Sequence, residues 1–167
     1  MIIDRLEIKE GMFVGDFGCG TGYFSFPLAK KVGLSGCVYA LDILQEKLET
    51  VDSEARVLGL SNIITKRANL ELIGGSKLEE ESLDWVCLVN MLFQNKNKKL
   101  VLDETKRVLK KGGKVLVVEW NNNNFFGPEK QIRVFQDEIS KLALDCGLSL
   151  IQEIPVSDFH YGLVLKK

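Results

Sequence analysis

Short apolar runs and longer amphipathic stretches alternate along the chain, and this pattern predicts the fold class. Turn residues bound each short run, as is typical of buried strands. We expect seven strands, at Met12–Phe17, Cys37–Leu41, Ile63–Lys66, Trp85–Val89, Lys114–Glu119, Leu148–Ile154 and Phe159–Leu165. Helical spacing predicts helices at Phe24–Lys31, Leu44–Leu58, Lys98–Leu109 and Glu129–Cys146, with Gly112 and Gly147 as left-handed caps of the last two.

The order strand, helix, strand indicates parallel strands joined by right-handed crossovers, and therefore an open α/β sheet covered on both faces. The last two strands depart from this order. Only Pro155–Asp158 separates them, which is too short for a crossover helix, so we expect a hairpin with one antiparallel strand. Its turn then lies at the carboxyl end of the parallel strands, where open α/β sheets bind ligands. Pro155 cannot donate to a ladder, so we expect its strand to lie at a sheet edge or to end there.

Length, charge and the absence of long apolar runs bear on the number of domains, the partners and the location of the protein. A chain of 167 residues is expected to form a single domain over residues 1–167. The formal charge of −1 provides no overall basic field, so we do not expect nucleic acid as a partner. No apolar run approaches the roughly 18 residues of a membrane span. The first ten residues, MIIDRLEIKE, carry charges where a signal peptide would have its apolar stretch. We therefore expect a cytoplasmic protein that does not bind a membrane.

The four cysteines, Cys19, Cys37, Cys87 and Cys146, are scattered and form no CxxC pair. His160 is the only histidine that could join them as a metal ligand. Neither a metal site nor a disulfide framework is therefore expected. A reactive thiol is the functional alternative, although burial of Cys37 and Cys87 in apolar strands explains these two residues more simply.

A glycine-rich turn joins the first strand to the first helix. Gly18, Gly20 and Gly22 allow the backbone to turn sharply and allow a ligand to approach main-chain N–H groups. The spacing is GxGxG, and Tyr23 stands where the dinucleotide fingerprint GxGxxG has glycine. The carboxylate of Asp16 would also repel a pyrophosphate, whereas it suits a cationic ligand. These two residues disfavour an NAD-linked oxidoreductase. The alternative role of Asp16 is to bind backbone amides of the loop.

Several segments carry a family resemblance. VGDFGCGTGYFSFPLAKKVG resembles the first motif, (D/E)xGxGxG, of the class I S-adenosylmethionine-dependent methyltransferases, and VYALDI resembles the second. SLDWVCLVNMLFQ resembles the family's fourth strand and RVLKKGGKVLVVEW its RVLKPGG turn, with Lys111 in the proline position. The resemblance extends from about Lys9 to Lys167. It implies a three-layer Rossmann-like sheet, S-adenosyl-L-methionine as the cofactor, and transfer of its methyl group to an acceptor.

The resemblance also implies a set of cofactor-binding residues. Asp42 would bind both ribose hydroxyls, Ile43 would lie against the adenine, and Asn90 would border the methionine moiety. Asn69 stands where the family often has Asp, so it would accept from the adenine amino group as a neutral amide. The complete set is Asp16, Phe17, Gly18, Cys19, Gly20, Asp42, Ile43, Asn69, Leu70 and Asn90.

The acceptor is less clearly indicated. Methyl transfer requires alignment more than a base, so no catalytic residue is assigned. His160 is expected near the carboxyl-end rim, where it would deprotonate or orient an acceptor or serve only as a strand residue. Tyr23, Gln94 and Trp120 are expected at the same rim, and residues 121–129, with Phe125, Phe126 and Gly127, as a lid or an ordinary loop.

About 11 residues precede the first strand, without the helices that cap the pocket in many relatives. A small-molecule acceptor is favoured; the alternatives are a large substrate or a site completed by a homodimer or a partner subunit. A non-catalytic S-adenosylmethionine-binding sensor or partner subunit is the alternative function.

Overall fold

The structure, a computed structural model, describes residues 1–122 and 126–167. Seven strands form one sheet in the order β3-β2-β1-β4-β5-β7-β6. The strands are β1 Phe13–Phe17, β2 Cys37–Asp42, β3 Ile63–Arg67, β4 Leu83–Val89, β5 Leu109–Trp120, β6 Ser149–Ser157 and β7 His160–Lys166. The pairs among β1 to β5 are parallel, and β7 is antiparallel to both β5 and β6. The predicted Rossmann-like sheet with one antiparallel strand is confirmed.

Four α-helices connect the strands: α1 Ser25–Val32, α2 Gln45–Val57, α3 Lys98–Val108 and α4 Gln136–Asp145. The first three agree with the predicted helices to within about a residue. Within the described parts of the chain, no helix is long and apolar enough to cross a membrane.

The predicted start of the fourth helix at Glu129 is wrong. Only a 3-10 turn, Lys130–Ile132, forms there, and α4 begins at Gln136. The intervening residues serve other contacts: the buried Arg133 guanidinium donates to the carbonyl oxygens of Asn121 and Phe126, and Tyr161 Oη donates to the carbonyl oxygen of Val134. These tertiary bonds hold the segment extended where its apolar spacing predicted a helix.

The two predicted caps have different outcomes. Gly147 has φ +76° and follows the end of α4, and its N–H donates to the carbonyl oxygen of Leu144, as expected of a left-handed cap. Gly112 also has a positive φ, of +77°, but it lies inside β5, which starts at Leu109 directly after α3. The register of β5 against β4 shifts in this region, so Gly112 belongs to an irregular strand segment and not to a helix cap.

The side chains of β5 alternate between two apolar layers and position the site. Val115 and Val117 pack in a cluster with residues of α3 and α4, whereas Leu116 and Val118 pack in a cluster with α1 and the 3-10 turn Ile2–Arg5. At the carboxyl end of β5, Trp120 pairs with His160 of β7. The hairpin turn therefore lies at the ligand-binding end of the sheet, as predicted, and Pro155 lies on β6, an edge strand.

Candidate functional site

The glycine turn after β1 folds back onto the end of β2. The N–H groups of Gly18 and Cys19 both donate to the carbonyl oxygen of Leu41, at 2.8 and 2.9 Å. Gly18 has φ +73°, and a Cβ there would come within 3.0 Å of Met91 Cβ. Gly20 has φ +52°, and a Cβ there would meet nothing within 4 Å. The first glycine is therefore required by backbone shape and packing, while the second exposes its backbone to open space where a ligand could approach.

Asp42 ends β2 and braces this turn. Its Oδ2 accepts from the Gly20 N–H at 3.0 Å, and its Oδ1 accepts from the Leu44 N–H at 2.9 Å. A carboxylate oxygen accepts more than one hydrogen bond, so both oxygens keep capacity for a ligand. The two backbone bonds hold the carboxylate in one orientation, which suits recognition of a pair of neighbouring hydroxyl groups.

Two cavities meet at the glycine turn. The β2-side cavity, of about 430 Å³, is lined by Asp42, Ile43, Asn69 and Leu70, and the β7-side cavity, of about 710 Å³, is lined by Asp16, Cys19, Asn90, Ser157 and His160. Gly18, Gly20 and Gln94 line both. Nine of the ten residues predicted to bind the cofactor thus line one or both cavities. Phe17 is the exception, because its ring is fully buried in the core.

Asp16 is buried at the end of β1, and its carboxylate accepts from the Ser25 hydroxyl at 2.5 Å. The pKa of Asp16 is raised to about 6. Burial is the main cause and the nearby Asp42 carboxylate adds to it, while the hydrogen bond from Ser25 opposes both. A carboxyl with such a pKa is ionised at neutral pH but gains free energy from a cationic neighbour. A cationic group of a ligand in the β7-side cavity would lie next to this carboxylate.

The loop after β3 is held by its own polar side chains. Asn69 Oδ1 accepts from the Glu71 N–H at 3.1 Å, and the Glu71 carboxylate accepts from Asn95 Nδ2 and the Asn97 N–H, both at 3.0 Å. The loops after β3 and β4 are therefore tied together below the β2-side cavity. This network fixes the position of Asn69, although its Oδ1 already has one donor.

His160, Asn90 and Trp120 form a cluster at the far end of the β7-side cavity. Asn90 Nδ2 lies 3.1 Å from His160 Nε2, and Ser157 Oγ lies 3.2 Å from His160 Nδ1. An amide nitrogen only donates, so with this amide orientation Nε2 accepts and Nδ1 carries the proton. The Trp120 ring lies 4.2 Å from the imidazole, between ring centroids, and burial lowers the pKa of His160. The imidazole is therefore neutral, and its Nε2 lone pair is directed at Asn90 Nδ2. Its expected position at the rim is confirmed.

Glu119 lines neither cavity but supports the segment next to Asn90, and sequence reasoning missed it. Its carboxylate is fully buried; Oε1 accepts from the N–H groups of Leu92 and Phe93, at 2.7 and 3.3 Å. Oε2 is buried without a hydrogen-bond partner among the described residues, and burial raises the pKa of Glu119 to about 7. These bonds hold the 3-10 turn Leu92–Gln94 next to Asn90. The signal in the sequence was a lone acidic residue ending an apolar run, VLVVEW.

The remaining rim residues differ in position. The Tyr23 ring is 71% exposed at the mouth of the β7-side cavity, and Gln94 Nε2 donates to the Asn90 carbonyl oxygen at 2.9 Å. Gly127 packs directly on the Trp120 ring. Phe125, expected in a lid, lies outside the described residues together with residues 123 and 124. Met1 and Ile2 line the β7-side cavity, so the amino-terminal turn provides part of the wall that the sequence was expected to lack.

Comparison with known proteins places the chain among methyltransferases. The family model described as "Methyltransferase domain" matches residues 8–149. A demethylmenaquinone methyltransferase of Oceanobacillus iheyensis is 32% identical over 127 residues, covering 74% of this chain and 50% of that protein. The chain thus spans about half the length of the curated relatives that it matches.

Solved structures agree in fold. A S-adenosylmethionine (SAM) dependent methyltransferase from Aquifex aeolicus superposes with a TM-score of 0.91 at 24% identity, covering 99% of this chain and 87% of that one. The [4+2]-cyclase SpnF superposes with a TM-score of 0.85 at 15% identity, covering 99% and 78%. The second neighbour illustrates that this fold alone does not determine the reaction. The family match over most of the chain does not rest on fold, and it shows that the chain belongs to the methyltransferase domain family.

Proposed function

We propose that the protein is an S-adenosyl-L-methionine-dependent methyltransferase acting on a small-molecule acceptor. The observation that carries this proposal is the meeting of the two cavities at Gly18 and Gly20, with Asp42 on one side and Asp16 on the other. A ligand with a nucleoside at one end and an ammonium group at the other fits this arrangement of hydroxyl acceptors and carboxylate charge. The relatives named as methyltransferases support the same assignment.

The chain's own residues fit this cofactor. Asp42 would accept the two ribose hydroxyls, worth about 1.5–3 kcal/mol per bond in favourable cases. Ile43, whose side chain is half exposed in the β2-side cavity, would cover the adenine, and Asn69 with Leu70 would border its other side. Asp16 would face the ammonium group. When bound, the cofactor supplies an electrophilic methyl group on a sulfonium sulfur.

The catalytic contribution of the protein would be mainly positional. Holding an acceptor in line with a transferable group can lower the barrier by about 7–11 kcal/mol. The glycine turn and the segment after β4, which Glu119 anchors, are the parts of this chain that would fix that alignment. The acceptor would lie in the β7-side cavity, beyond Gly18.

The alternative is a protein that binds S-adenosylmethionine without catalysis, as a sensor or as a partner subunit. Transfer of a labelled methyl group from S-adenosylmethionine to small molecules of a cell extract separates the two. Labelled product with the wild-type protein, lost with Asp42→Ala, would support the enzyme. Cofactor binding without any labelled product would support the binding protein. A homodimer or partner subunit, an absence of nucleic-acid and membrane partners, and a cytoplasmic location stay predictions.

A further inference from the structure

The walls of the β7-side cavity beyond the glycine turn are apolar. The side chains of Ile2, Phe24, Val89, Val118 and Val156 line it. Asn90, Ser157 and His160 add a hydrogen-bonded polar group to the same lining. This distribution suits an acceptor that is mostly apolar and carries a polar group at one end.

The described lining of this cavity also lacks a positively charged side chain. Among the described residues that line it, Asp16 is the one with an ionisable carboxyl, and none is Lys or Arg. The ammonium group of Met1 is paired with the Asp4 carboxylate at 2.7 Å. Transfer of an anionic group into an apolar site without a partner is costly. An acceptor with a carboxylate or phosphate is therefore disfavoured relative to an uncharged one.

The His160–Asn90 pair offers a place for a hydroxyl group. His160 Nε2 can accept a proton, and Asn90 Nδ2 can donate to an oxygen. A hydroxyl that takes the place of this direct hydrogen bond would donate to Nε2 and accept from Nδ2, so both groups would keep a partner. Ser157 Oγ, which also accepts from the Phe159 N–H at 3.2 Å, keeps the Nδ1 proton in place. Trp120 packs against the imidazole and restricts its rotation.

We infer that the acceptor is an uncharged, largely apolar compound that bears a hydroxyl group, and that His160 is the catalytic residue that receives the hydroxyl proton. The inference rests on the proposed function. In the transfer step the O–H proton moves to His160 Nε2, and an oxygen lone pair forms the bond to the methyl carbon. The bond between that carbon and the sulfonium sulfur breaks, and its electron pair leaves the sulfur neutral as a thioether. The imidazolium then releases its proton to solvent.

Binding of matched probes tests the recognition half of this inference. The protein saturated with S-adenosylhomocysteine is titrated calorimetrically with 2-naphthol, 2-methoxynaphthalene and 6-hydroxy-2-naphthoate. We expect 2-naphthol to bind about tenfold tighter than 2-methoxynaphthalene, which cannot donate, because one hydrogen bond is worth about 1 kcal/mol or slightly more. The carboxylate should bind more weakly than 2-naphthol. Equal binding of the naphthol and its methyl ether, tighter binding of the carboxylate, or no binding of 2-naphthol would overturn the inference.

Substitutions at His160 test the proton-transfer half. His160→Gln keeps an acceptor near Nε2 but is not a base, so we expect it to retain 2-naphthol binding and to transfer labelled methyl at least about 100-fold more slowly than wild type. His160→Ala should abolish the preference for 2-naphthol over its ether. Gln152→Ala, at an exposed position of the same hairpin, is the matched control and should keep every value. Transfer by His160→Gln at the wild-type rate would overturn the role of His160.

These results remain distinguishable from failure of the proposed function. S-adenosylhomocysteine binding is measured first, in the absence of any probe. If that ligand does not bind, the proposed function fails. If it binds while the probes show no preference for a hydroxyl, only the acceptor inference fails.

Discussion

The β2-side and β7-side cavities lie on either side of one glycine turn but are assembled differently. The β2-side cavity is built mainly from residues that directly follow β1, β2 and β3, and backbone N–H groups hold its central carboxylate, Asp42. The β7-side cavity combines residues from distant parts of the chain, from Ile2 through Asn90 to His160. The first is a local feature of strand-to-helix turns, whereas the second depends on tertiary packing. Under the proposed function, substitutions confined to the β2-side cavity should alter cofactor binding, whereas substitutions around His160 should alter acceptor recognition.

The largest expected effect concerns Asp42. Asp42→Ala should weaken S-adenosylhomocysteine binding by at least about 100-fold, since two charge-assisted hydrogen bonds are lost. Isothermal titration calorimetry measures the change. Asp52→Ala is the control, because the carboxylate of Asp52, on α2, accepts from the hydroxyl of Thr65, on β3, and neither residue lines a cavity. Similar affinities of the two variants for S-adenosylhomocysteine would contradict the placement of this ligand in the β2-side cavity.

Glu119 connects the β7-side cavity to the core and should affect stability. A carboxyl whose pKa is higher in the folded than in the unfolded protein holds its proton more tightly when folded. The free energy of unfolding should therefore fall as pH rises from about 4.5 to above 7, by on the order of 3 kcal/mol for this group. Urea denaturation at pH 5 and pH 8 should show this fall in wild type and a smaller one in Glu119→Gln.

Asp16→Asn is the matched variant for this experiment, because Asp16 is the second carboxyl of the site with a raised pKa. Asp16, with its pKa raised to about 6, contributes a fall in the same direction, and Glu119→Gln retains that part. Asp16→Asn should remove the smaller contribution and leave the larger. An identical pH dependence in wild type and Glu119→Gln would show that the Glu119 carboxyl does not carry a perturbed pKa.

Asp16 lines the β7-side cavity and lies two residues before Gly18, where the two cavities meet. If its carboxylate faces the cofactor's ammonium group, affinity should rise about tenfold between pH 5 and pH 7 as the carboxyl ionises. Asp16→Asn should bind more weakly at pH 7 and show a flat profile. Calorimetric titration of S-adenosylhomocysteine across this range measures both, with Glu119→Gln as the variant that should retain the rise. A rise that persists in Asp16→Asn would point to another group.

The smallest expected effect is at Asn69. Asn69→Asp would keep the bond from the Glu71 N–H while offering a charged acceptor in the β2-side cavity. The affinity for S-adenosylhomocysteine should increase about fivefold, because a charged hydrogen bond is worth about 1 kcal/mol more than a neutral one. Asn69→Ala should lower the affinity. Equal affinities for the three proteins would place the adenine amino group elsewhere.

The sequence predicted the sheet and the β2-side cavity because their signals are local. Apolar runs, the GxGxG turn and the carboxylate at the end of β2 each lie within a few residues of one another, and strand order then brings them together. Phe17 was assigned to the site by motif, yet alternation along β1 directs its ring into the core.

The rest depended on contacts between distant segments. The helix α4 starts later than predicted because the residues before it are held extended by the hydrogen bond from Tyr161 to Val134 and by the bonds of Arg133. The helical pattern of the sequence does not reveal these bonds. The pairing of Asn90 with His160, 70 positions apart, and the burial of Glu119 beneath Leu92 likewise arise only from packing. The β7-side cavity is therefore harder to predict from sequence than the β2-side cavity.

Thermal unfolding with S-adenosylmethionine, S-adenosylhomocysteine and NAD in parallel is the most direct test of the proposed cofactor. A ligand at about 100 times its dissociation constant adds roughly 2.7 kcal/mol to the free energy of unfolding. We expect S-adenosylmethionine and S-adenosylhomocysteine to raise the melting temperature of the wild-type protein and NAD to leave it unchanged. Stabilisation by NAD alone, or by none of the three, would contradict this expectation.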